Sequence, residues 1–539
     1  MVRIKLTLSP TLQTLYSMKL IHTDMNWALV PVITLTVWAV SFFISGGHEY
    51  SDGLHYAANS ATLSRDLHAE PTLDWEKFVS HDQELGEPHP YVNHLYTVTL
   101  AFVQSAFDKP KLWHGSLLSL AFALLGAFSL YLLLRHLLPP AQAMLIFVLT
   151  MTSAITWSTL ARPLTDTPFW GLTLFTLWYA LHSRRVFSTG LLIGLTCTFR
   201  MQGVYTFLLM PLLLCDRPSI ASAIRTWLRM GLGVIPFAAL YVFIASATGP
   251  ETSHAMPPFL YLEKWKYFYG TASPAQYIMA LNTSLGDLLK LNSLTPLLIP
   301  AGASLFLPAK NRFINRLALF AFGSILLLIF TTCTAGAVPT RYYLPYQALI
   351  LLAAWTMLNE QAKLFPEKLI RRISWSLFIC MGILNIVPLA LQLPHMSFEN
   401  IGRPHQSGFD QVIQDFQPTD ILATTEPRLL LLSFPGRNLV TLPNSPESFL
   451  AQAGRNHELT GLVFIFNRLQ TEPELQSQPW RARASWKGQC SPTHRWTEWS
   501  AQLQKESFTD SSGNRFLKIY DVCDWLERRV VFVRANKGY

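Results

Sequence analysis

Two carboxylates stand in a short polar run near the start of the chain. The run His48-Glu49-Tyr50-Ser51-Asp52-Gly53 follows the first long apolar segment, residues 27–45. A carboxylate can act as a general base when burial or a neighbouring charge tunes its pKa. The alternative is that Glu49 and Asp52 are both solvated, with Asp52 capping a helix over 53–67. The spacing by itself leaves both interpretations open.

Three later turns carry an arginine beside polar or aromatic residues. The turn at 162–168 reads Arg-Pro-Leu-Thr-Asp-Thr-Pro; Arg162 is a candidate phosphate contact, and Asp166 could orient a partner or a substrate hydroxyl. The turn at 200–203 places Arg200 and Gln202 between two short apolar segments, where an arginine needs a partner or water.

The third turn opens another apolar segment with Arg341 and Tyr342, and this arginine could clamp a lipid phosphate. Structural interpretations compete at every turn. Asp166 or its neighbour Thr165 could cap a helix, Arg200 could form a purely structural ion pair, and Arg341 could be an interfacial anchor.

Composition indicates what kind of protein holds these turns. The 539 residues are 50% hydrophobic and only 14% charged, whereas soluble domains carry about 25% charged residues. The net charge of +9 comes from short basic clusters between apolar segments, a pattern of membrane-protein loops rather than of a nucleic-acid groove. The sequence therefore predicts a polytopic membrane protein that does not bind nucleic acid.

Hydropathy predicts about eleven transmembrane helices. They lie near 27–45, 113–134, 140–160, 164–182, 187–199, 203–215, 229–248, 291–308, 316–334, 342–358 and 373–393. An amphipathic segment at 91–107 is expected at the interface. Basic clusters fall in alternate loops, which places the intervening loops outside. The predicted outer set includes the first loop, 46–112, and all three arginine turns, so their side chains share one membrane level and could converge.

The character of the chain changes after residue 394. Short apolar runs at 421–424, 429–434 and 462–466 alternate with helical stretches at 408–416 and 446–453, which is typical of a small α/β domain with a partly parallel sheet. We expect two domains, a transmembrane domain over 1–394 and a soluble extracytoplasmic accessory domain over 395–539. Cys490 and Cys523 lie in the second, and whether they form a disulfide is left open.

The order of these elements resembles the GT-C superfamily of membrane glycosyltransferases, in particular its bacterial protein-mannosyltransferase and aminoarabinose-transferase types. Four features carry the resemblance over roughly residues 20–395. They are Asp52 after the first apolar segment, the Glu-Pro-His-Pro-Tyr stretch at 87–91 that contains His89, the Arg-Pro…Thr-Asp-Thr-Pro turn, and the late Arg-Tyr-Tyr-Leu-Pro.

The resemblance implies an inverting transfer of a sugar from a polyprenyl-phosphate donor to a hydroxyl on a lipid, glycan or protein acceptor. Asp52 would be the general base, with Glu49 as second candidate. Substrate contacts would come from His89 and from the arginine turns, namely Arg162, Asp166, Arg200, Gln202, Arg341 and Tyr342. No cofactor is demanded, although a carboxylate pair could hold a divalent cation.

The implied location is a bacterial inner membrane, with the C-terminal domain on the extracytoplasmic side. A transporter is the main alternative from another class, but transporters place polar residues near the midplane and often contain internal repeats. A lipid-linked glycan polymerase or ligase would use similar chemistry. A structural assembly protein is the third alternative.

Overall fold

A computed structural model describes most of the chain up to His395 and six strands beyond it. The described ranges are 25–45, 94–107, 113–215, 219–248, 295–305, 312–332, 340–361, 367–395 and the strands, with isolated positions at 53, 56, 57, 60, 61, 111, 275, 278, 279, 281–283 and 286. Everything below refers to these residues.

Helices make up the described chain as far as residue 395. They are α1 (Leu29–Ser45), α2 (His94–Ser105), α3 (His114–Leu137), α4 (Pro140–Met151), α5 (Ala154–Thr159), α6 (Asp166–Ser183), α7 (Val186–Phe199), α8 (Gly203–Leu209), α9 (Pro211–Leu214), α10 (Ile220–Thr248), α11 (Thr295–Ala303), α12 (Arg312–Thr332), α13 (Leu344–Gln361) and α14 (Glu367–Gln392). Short 3₁₀ turns lie at Met25–Ala28, Thr340–Tyr343 and Leu393–His395.

Every apolar segment predicted from the sequence overlaps at least one of these helices. Among the described residues, three helices are long and apolar enough to cross a membrane: His114–Leu137, Ile220–Phe243 and Phe313–Thr331. Six other apolar helices are shorter. The molecule is therefore an integral membrane protein, while the number of eleven transmembrane helices stays a prediction.

Two predicted segments are each divided into two helices. The segment 140–160 breaks before Ser153, whose hydroxyl accepts a hydrogen bond from the backbone N–H of Thr156 and so begins a new helix, α5. The segment 203–215 breaks at Met210, directly before Pro211. Proline lacks the N–H that would continue the helical hydrogen bonds. The first break precedes the turn at 162–168, and the second follows the turn at 200–203.

Glycines let two pairs of helices approach closely. A methyl group at Gly126 of α3 would overlap Trp170 and the backbone of Gly171 in α6. A methyl group at Gly190 of α7 would overlap the backbone of Met230 in α10. Small residues that bring backbones together are a common basis of helix packing in membranes. These contacts fix α6 and α7, the two helices that carry Asp166 and Arg200.

The described residues after 395 form a six-stranded sheet. Its strands are β1 (Ile421–Thr424), β2 (Asn438–Thr441), β3 (Leu459–Phe466), β4 (Phe508–Thr509), β5 (Arg515–Cys523) and β6 (Arg528–Asn536), in the order β2-β1-β3-β6-β5-β4. Strand β1 pairs in parallel with β2 and β3, whereas β6 pairs antiparallel with β3 and β5.

The sheet is partly parallel, and two of its six strands, β1 and β3, lie at predicted strands. No strand was predicted at β2, β4, β5 or β6. The predicted strand at 429–434, the helices at 408–416 and 446–453, and Cys490 lie outside the described residues. The assignment of an α/β domain and the boundary at 394/395 therefore stay predictions.

Candidate functional site

Three helix ends meet at one end of the bundle, and each brings one of the predicted arginine turns. Asp166 is the first residue of α6, Arg200 follows the last residue of α7, and Arg341 lies in the 3₁₀ turn that leads into α13. Their side chains touch although they come from distant parts of the sequence. We call Thr165, Asp166, Arg200, Gln202, Arg341 and Tyr342 the arginine cluster.

Asp166 is the centre of the arginine cluster. Its Oδ1 lies 2.7 Å from Nη1 of Arg200, and its Oδ2 lies 3.3 Å from Nε of Arg341. The side chain of Asp166 is only 3% exposed. As the first residue of α6 it also stands at a helix N-terminus, where the backbone dipole stabilises a negative charge. One carboxylate thus holds two guanidinium groups in place.

Arg200 is held on several sides. Its Nη1 donates to the hydroxyl of Thr165 at 3.0 Å, and its Nε donates to the side-chain oxygen of Gln202 at 3.2 Å. Its guanidinium carbon lies 4.1 Å from the centre of the Tyr342 ring, a cation–π distance. Burial lowers the pKa of Arg200, but Asp166 and then Tyr342 oppose this, so that the pKa is raised overall. The guanidinium therefore stays charged.

Arg341 has a more open position than Arg200. Its side chain is 14% exposed, against 7% for Arg200, and its guanidinium carbon lies 5.7 Å from the centre of the Tyr342 ring. Tyr342 therefore has both cations near its face. Of the two arginines, Arg341 is the one better placed to meet a ligand that approaches the cluster.

The turn that carries Asp166 is fastened to its neighbours by hydrogen bonds. Ser119 of α3 donates to the carbonyl of Arg162 at 2.7 Å, and the backbone N–H of Ala161 donates to Ser41 of α1 at 3.3 Å. Thr167 donates to carbonyls at the end of α5. The backbone of Arg162 thus anchors this turn, and its half-buried side chain is not among the groups that contact Asp166 in the arginine cluster.

Thr165 departs from one structural interpretation of the sequence. It occupies the N-cap position of α6, but its hydroxyl makes no capping hydrogen bond and instead accepts from Arg200. The turn is therefore organised around the buried ion pairs rather than around a side-chain cap. Its proline pattern gave no indication of this, because a capping threonine and an arginine-binding threonine look alike in sequence.

The catalytic candidates Asp52 and Glu49, and the substrate-binding candidate His89, lie outside the described residues. Gly53, the residue after Asp52, is described and buried. The ring of Tyr56 packs edge-on against Tyr96 of α2, with centroids 5.1 Å apart.

Further contacts connect Ser60 and Ala57 to α2. Ser60 donates to the carbonyl of Thr97 at 2.9 Å, and Gln104 donates to the carbonyl of Ala57 at 3.3 Å. The hydroxyl of Tyr96 is buried close to the point where Gly115 meets Pro163. Tyr56, Ala57 and Ser60 therefore pack on the helix that borders the Arg162–Asp166 turn. Hydropathy alone did not single out Tyr56 or Tyr96.

Within the described part of the chain, no group of three or more His, Cys, Asp or Glu side chains is arranged to hold a metal ion. Asp166 is the carboxylate of the arginine cluster, and its two oxygens already face guanidinium groups. Chemically, this arrangement suits an anion that approaches the arginines rather than a cation.

We compared the sequence and the fold of this chain with those of known proteins. No protein-family model matches the sequence, and no curated protein matches it. The crystal structure of ArnT from Cupriavidus metallidurans bound to undecaprenyl phosphate is similar with a TM-score of 0.53 at 14% identity, covering 94% of this chain and 98% of that chain. Its apo structure gives a TM-score of 0.54 at 13% identity with the same coverage.

The Archaeoglobus fulgidus oligosaccharyltransferase in complex with Zn and sulfate is more distant, with a TM-score of 0.47 at 12% identity, covering 80% of this chain and 67% of that one. The two ArnT structures show that this chain shares their fold. They confirm, at the level of fold, the resemblance predicted from the sequence.

Proposed function

We propose that this protein is a membrane glycosyltransferase that moves a sugar from a polyprenyl-phosphate donor to a hydroxyl acceptor. The observation that carries the proposal is the fold shared, over 94% of this chain, with an ArnT structure bound to undecaprenyl phosphate. The arginine cluster supports it independently, because a departing lipid phosphate needs positive charge where negative charge develops.

Arg341 is the proposed contact to the donor phosphate. Its guanidinium is tethered to Asp166 through Nε and is more exposed than that of Arg200. A guanidinium can bind two phosphate oxygens in parallel, which fixes geometry as well as charge. In this proposal Tyr342 and Arg200 help to hold Arg341 in position. Arg162, Gln202 and His89 are further candidate contacts to the substrate.

Asp52 is the proposed general base, with Glu49 in reserve. The acceptor oxygen attacks the anomeric carbon of the donor sugar and forms the new glycosidic bond, while the bond from that carbon to the phosphate oxygen breaks. The acceptor proton passes to the carboxylate, and the lipid phosphate leaves with the electron pair. Attack opposite the leaving group inverts the configuration. The packing of Tyr56 and Ser60 onto α2 supports this assignment, because α2 borders the turn that carries Asp166.

The finer parts of the proposal concern topology and partners. We propose that the arginine cluster faces the outer side of a bacterial inner membrane and that the C-terminal sheet belongs to an extracytoplasmic accessory domain. The donor would be a sugar on a polyprenyl phosphate, and the acceptor a lipid, glycan or protein. The proposed reaction requires no cofactor, although the carboxylates of the first loop could hold a divalent cation.

Mass spectrometry of lipids and glycans tests the proposal directly. Cells that lack the protein would be compared with cells that carry the wild-type chain or Asp52→Asn at equal membrane abundance. We expect one sugar to be missing from one lipid, glycan or protein in the deletion strain and to return only with the wild type. An unchanged glycome together with altered solute uptake would reject the glycosyltransferase and favour a transporter. Transfer of a whole lipid-linked chain would favour a polymerase or ligase.

A further inference from the structure

A buried amide lies below the arginine cluster, in the first turn of α13. Gln347 is 1% exposed, and both ends of its side-chain amide are hydrogen-bonded to α5. Its Nε2 donates to Oγ1 of Thr156 at 2.5 Å, and its Oε1 accepts from Oγ of Ser153 at 2.9 Å. Together these two bonds tie the start of α13 to the start of α5.

The partners of Gln347 are themselves fixed to the backbone. The hydroxyl of Thr156 donates to the carbonyl of Thr150, at the end of α4, with a distance of 2.6 Å. The hydroxyl of Ser153 lies 2.9 Å from the same carbonyl and shares its single proton between that carbonyl and Gln347. The backbone N–H of Thr156 donates to Ser153 at 3.4 Å. The break between α4 and α5 thus presents two oriented hydroxyls to Gln347, and a glutamine side chain matches both.

The two chain segments joined by Gln347 lead to the two partners of one ion pair. From Gln347 back along the chain, the buried Tyr343 and Leu344 lead to Tyr342 and Arg341. From Thr156 onward, α5 ends at carbonyls that accept from Thr167, the residue after Asp166. The Arg341–Asp166 contact and the Gln347–Thr156 contact therefore join the same two segments at two levels.

We propose that Gln347 is a positioning residue that holds Arg341 against Asp166 and so places the guanidinium for the donor phosphate. The inference about the ligand rests on the proposed function. Without its amide, α13 can slide relative to α5, and a displacement of about 1 Å in a binding group is enough to weaken a bidentate contact. Gln347 itself does not touch the donor in this proposal.

Matched variants separate positioning from general stability. Gln347→Met keeps the length of the side chain and removes both hydrogen bonds, while Ser153 and Thr156 keep the carbonyl of Thr150 as an acceptor. Thr156→Val removes the bond from the other side. The control is Asn385→Leu in α14, because Asn385 is also a buried amide and donates to α4, at the carbonyl of Leu149, with a distance of 3.1 Å.

Undecaprenyl phosphate is the probe, and its Kd would be measured with purified full-length protein. We expect Gln347→Met to raise the Kd about fivefold and Thr156→Val to raise it less. The double variant should be no worse than Gln347→Met, since Thr156→Val removes one of the two hydrogen bonds that Gln347→Met already removes. In a transfer assay the donor KM should rise more than kcat falls. Asn385→Leu should leave the Kd unchanged. An unchanged Kd in Gln347→Met, or an equal loss in Asn385→Leu, would overturn the proposal.

Hydrogen exchange at the amides of Thr340–Tyr343 gives a readout that needs no ligand. We expect faster exchange there in Gln347→Met than in the wild type or in Asn385→Leu. If the wild-type chain binds no undecaprenyl phosphate, the donor assignment fails, and the exchange comparison alone decides the positioning role. Equal exchange in all three proteins would reject it.

Discussion

Asp166 and Arg200 form an ion pair of 2.7 Å in which both side chains are buried, and they stand at opposite ends of consecutive helices, α6 and α7. Two antiparallel helices bring the start of one and the end of the next to the same end of the bundle. Arg341 reaches the same carboxylate from α13. The charged groups of the proposed site are thereby ordered by the helix packing.

Removing the charge of Asp166 is expected to destabilise the fold. Asp166→Asn leaves two guanidinium groups beside a neutral amide, and breaking a buried ion pair costs about 3–5 kcal/mol. We expect a lower unfolding midpoint in a thermal or chemical denaturation experiment. The double variant Asp166→Asn with Arg200→Met should recover part of the loss, because it also removes one stranded charge.

Thr173→Val provides the control for this experiment. Thr173 lies in the same helix and is equally buried, and within the described chain its hydroxyl has no hydrogen-bond partner. Its replacement should change the unfolding midpoint little. If Asp166→Asn were as mild as Thr173→Val, the ion pairs would not be important for stability.

Arg341 should be sensitive to the shape of its head group as well as to its charge. Arg341→Lys keeps the positive charge but loses the planar fork that binds two oxygens. We expect kcat/KM for the donor to fall about tenfold in this variant, and further in Arg341→Ala. Steady-state kinetics at varied donor concentration would measure both.

Arg316→Lys is the matched control for Arg341→Lys. Arg316 lies near the start of α12, and its Nη1 donates to the carbonyl of Cys215 at 2.6 Å, away from the arginine cluster. Its replacement should leave kcat/KM close to the wild-type value. Equal losses in the two lysine variants would indicate a general effect of arginine removal and would leave Arg341 as an interfacial anchor.

The sequence predicted the meeting of the arginine turns better than their internal arrangement. Alternating basic clusters put the turns at 162–168, 200–203 and 341–342 on one side, and the structure brings Asp166, Arg200 and Arg341 into contact. The sequence did not show which arginine pairs with which acid, because ion pairing depends on helix rotation and packing. Glycines such as Gly126 and Gly190 set that packing, and their role depends on residues far away in sequence.

The C-terminal strands show a different limit of the sequence. Strands β5 and β6 pair along their whole length from Arg515 to Asn536, yet their mixture of charged and apolar residues did not lead to their prediction. The run Val530-Val531-Phe532-Val533 was the available signal, since β-branched and aromatic residues favour strands. Antiparallel strands with one polar face are less apparent in sequence than the apolar runs that mark β1 and β3.

The choice between Asp52 and Glu49 as general base can be made by comparing isosteric amides. Asp52→Asn removes the carboxylate that accepts the acceptor proton, so kcat should fall about 10²- to 10⁴-fold while the Kd for undecaprenyl phosphate is kept. Glu49→Gln should lose much less activity. The reverse order would assign the base to Glu49, and full activity in both variants would remove the first loop from the proposed chemistry.

Close packing of α7 on α10 should govern both stability and the position of Arg200. In Gly190→Ala the added methyl group would overlap the backbone of Met230, so α7 and α10 must separate. The control is Gly231→Ala, on α10 itself, where an added methyl group meets nothing within 4 Å. Replacing a helical glycine by alanine at such an open position gains about 1 kcal/mol from helix propensity.

We therefore expect the unfolding midpoint to fall in Gly190→Ala and to stay level or rise in Gly231→Ala. Because Arg200 directly follows α7, Gly190→Ala should also weaken binding of undecaprenyl phosphate, whereas Gly231→Ala should not. Thermal unfolding and the Kd, measured on the same preparations, would check both expectations. A Gly190→Ala protein with wild-type stability would show that the helices can adjust at this contact, and the close approach would then not be what positions Arg200.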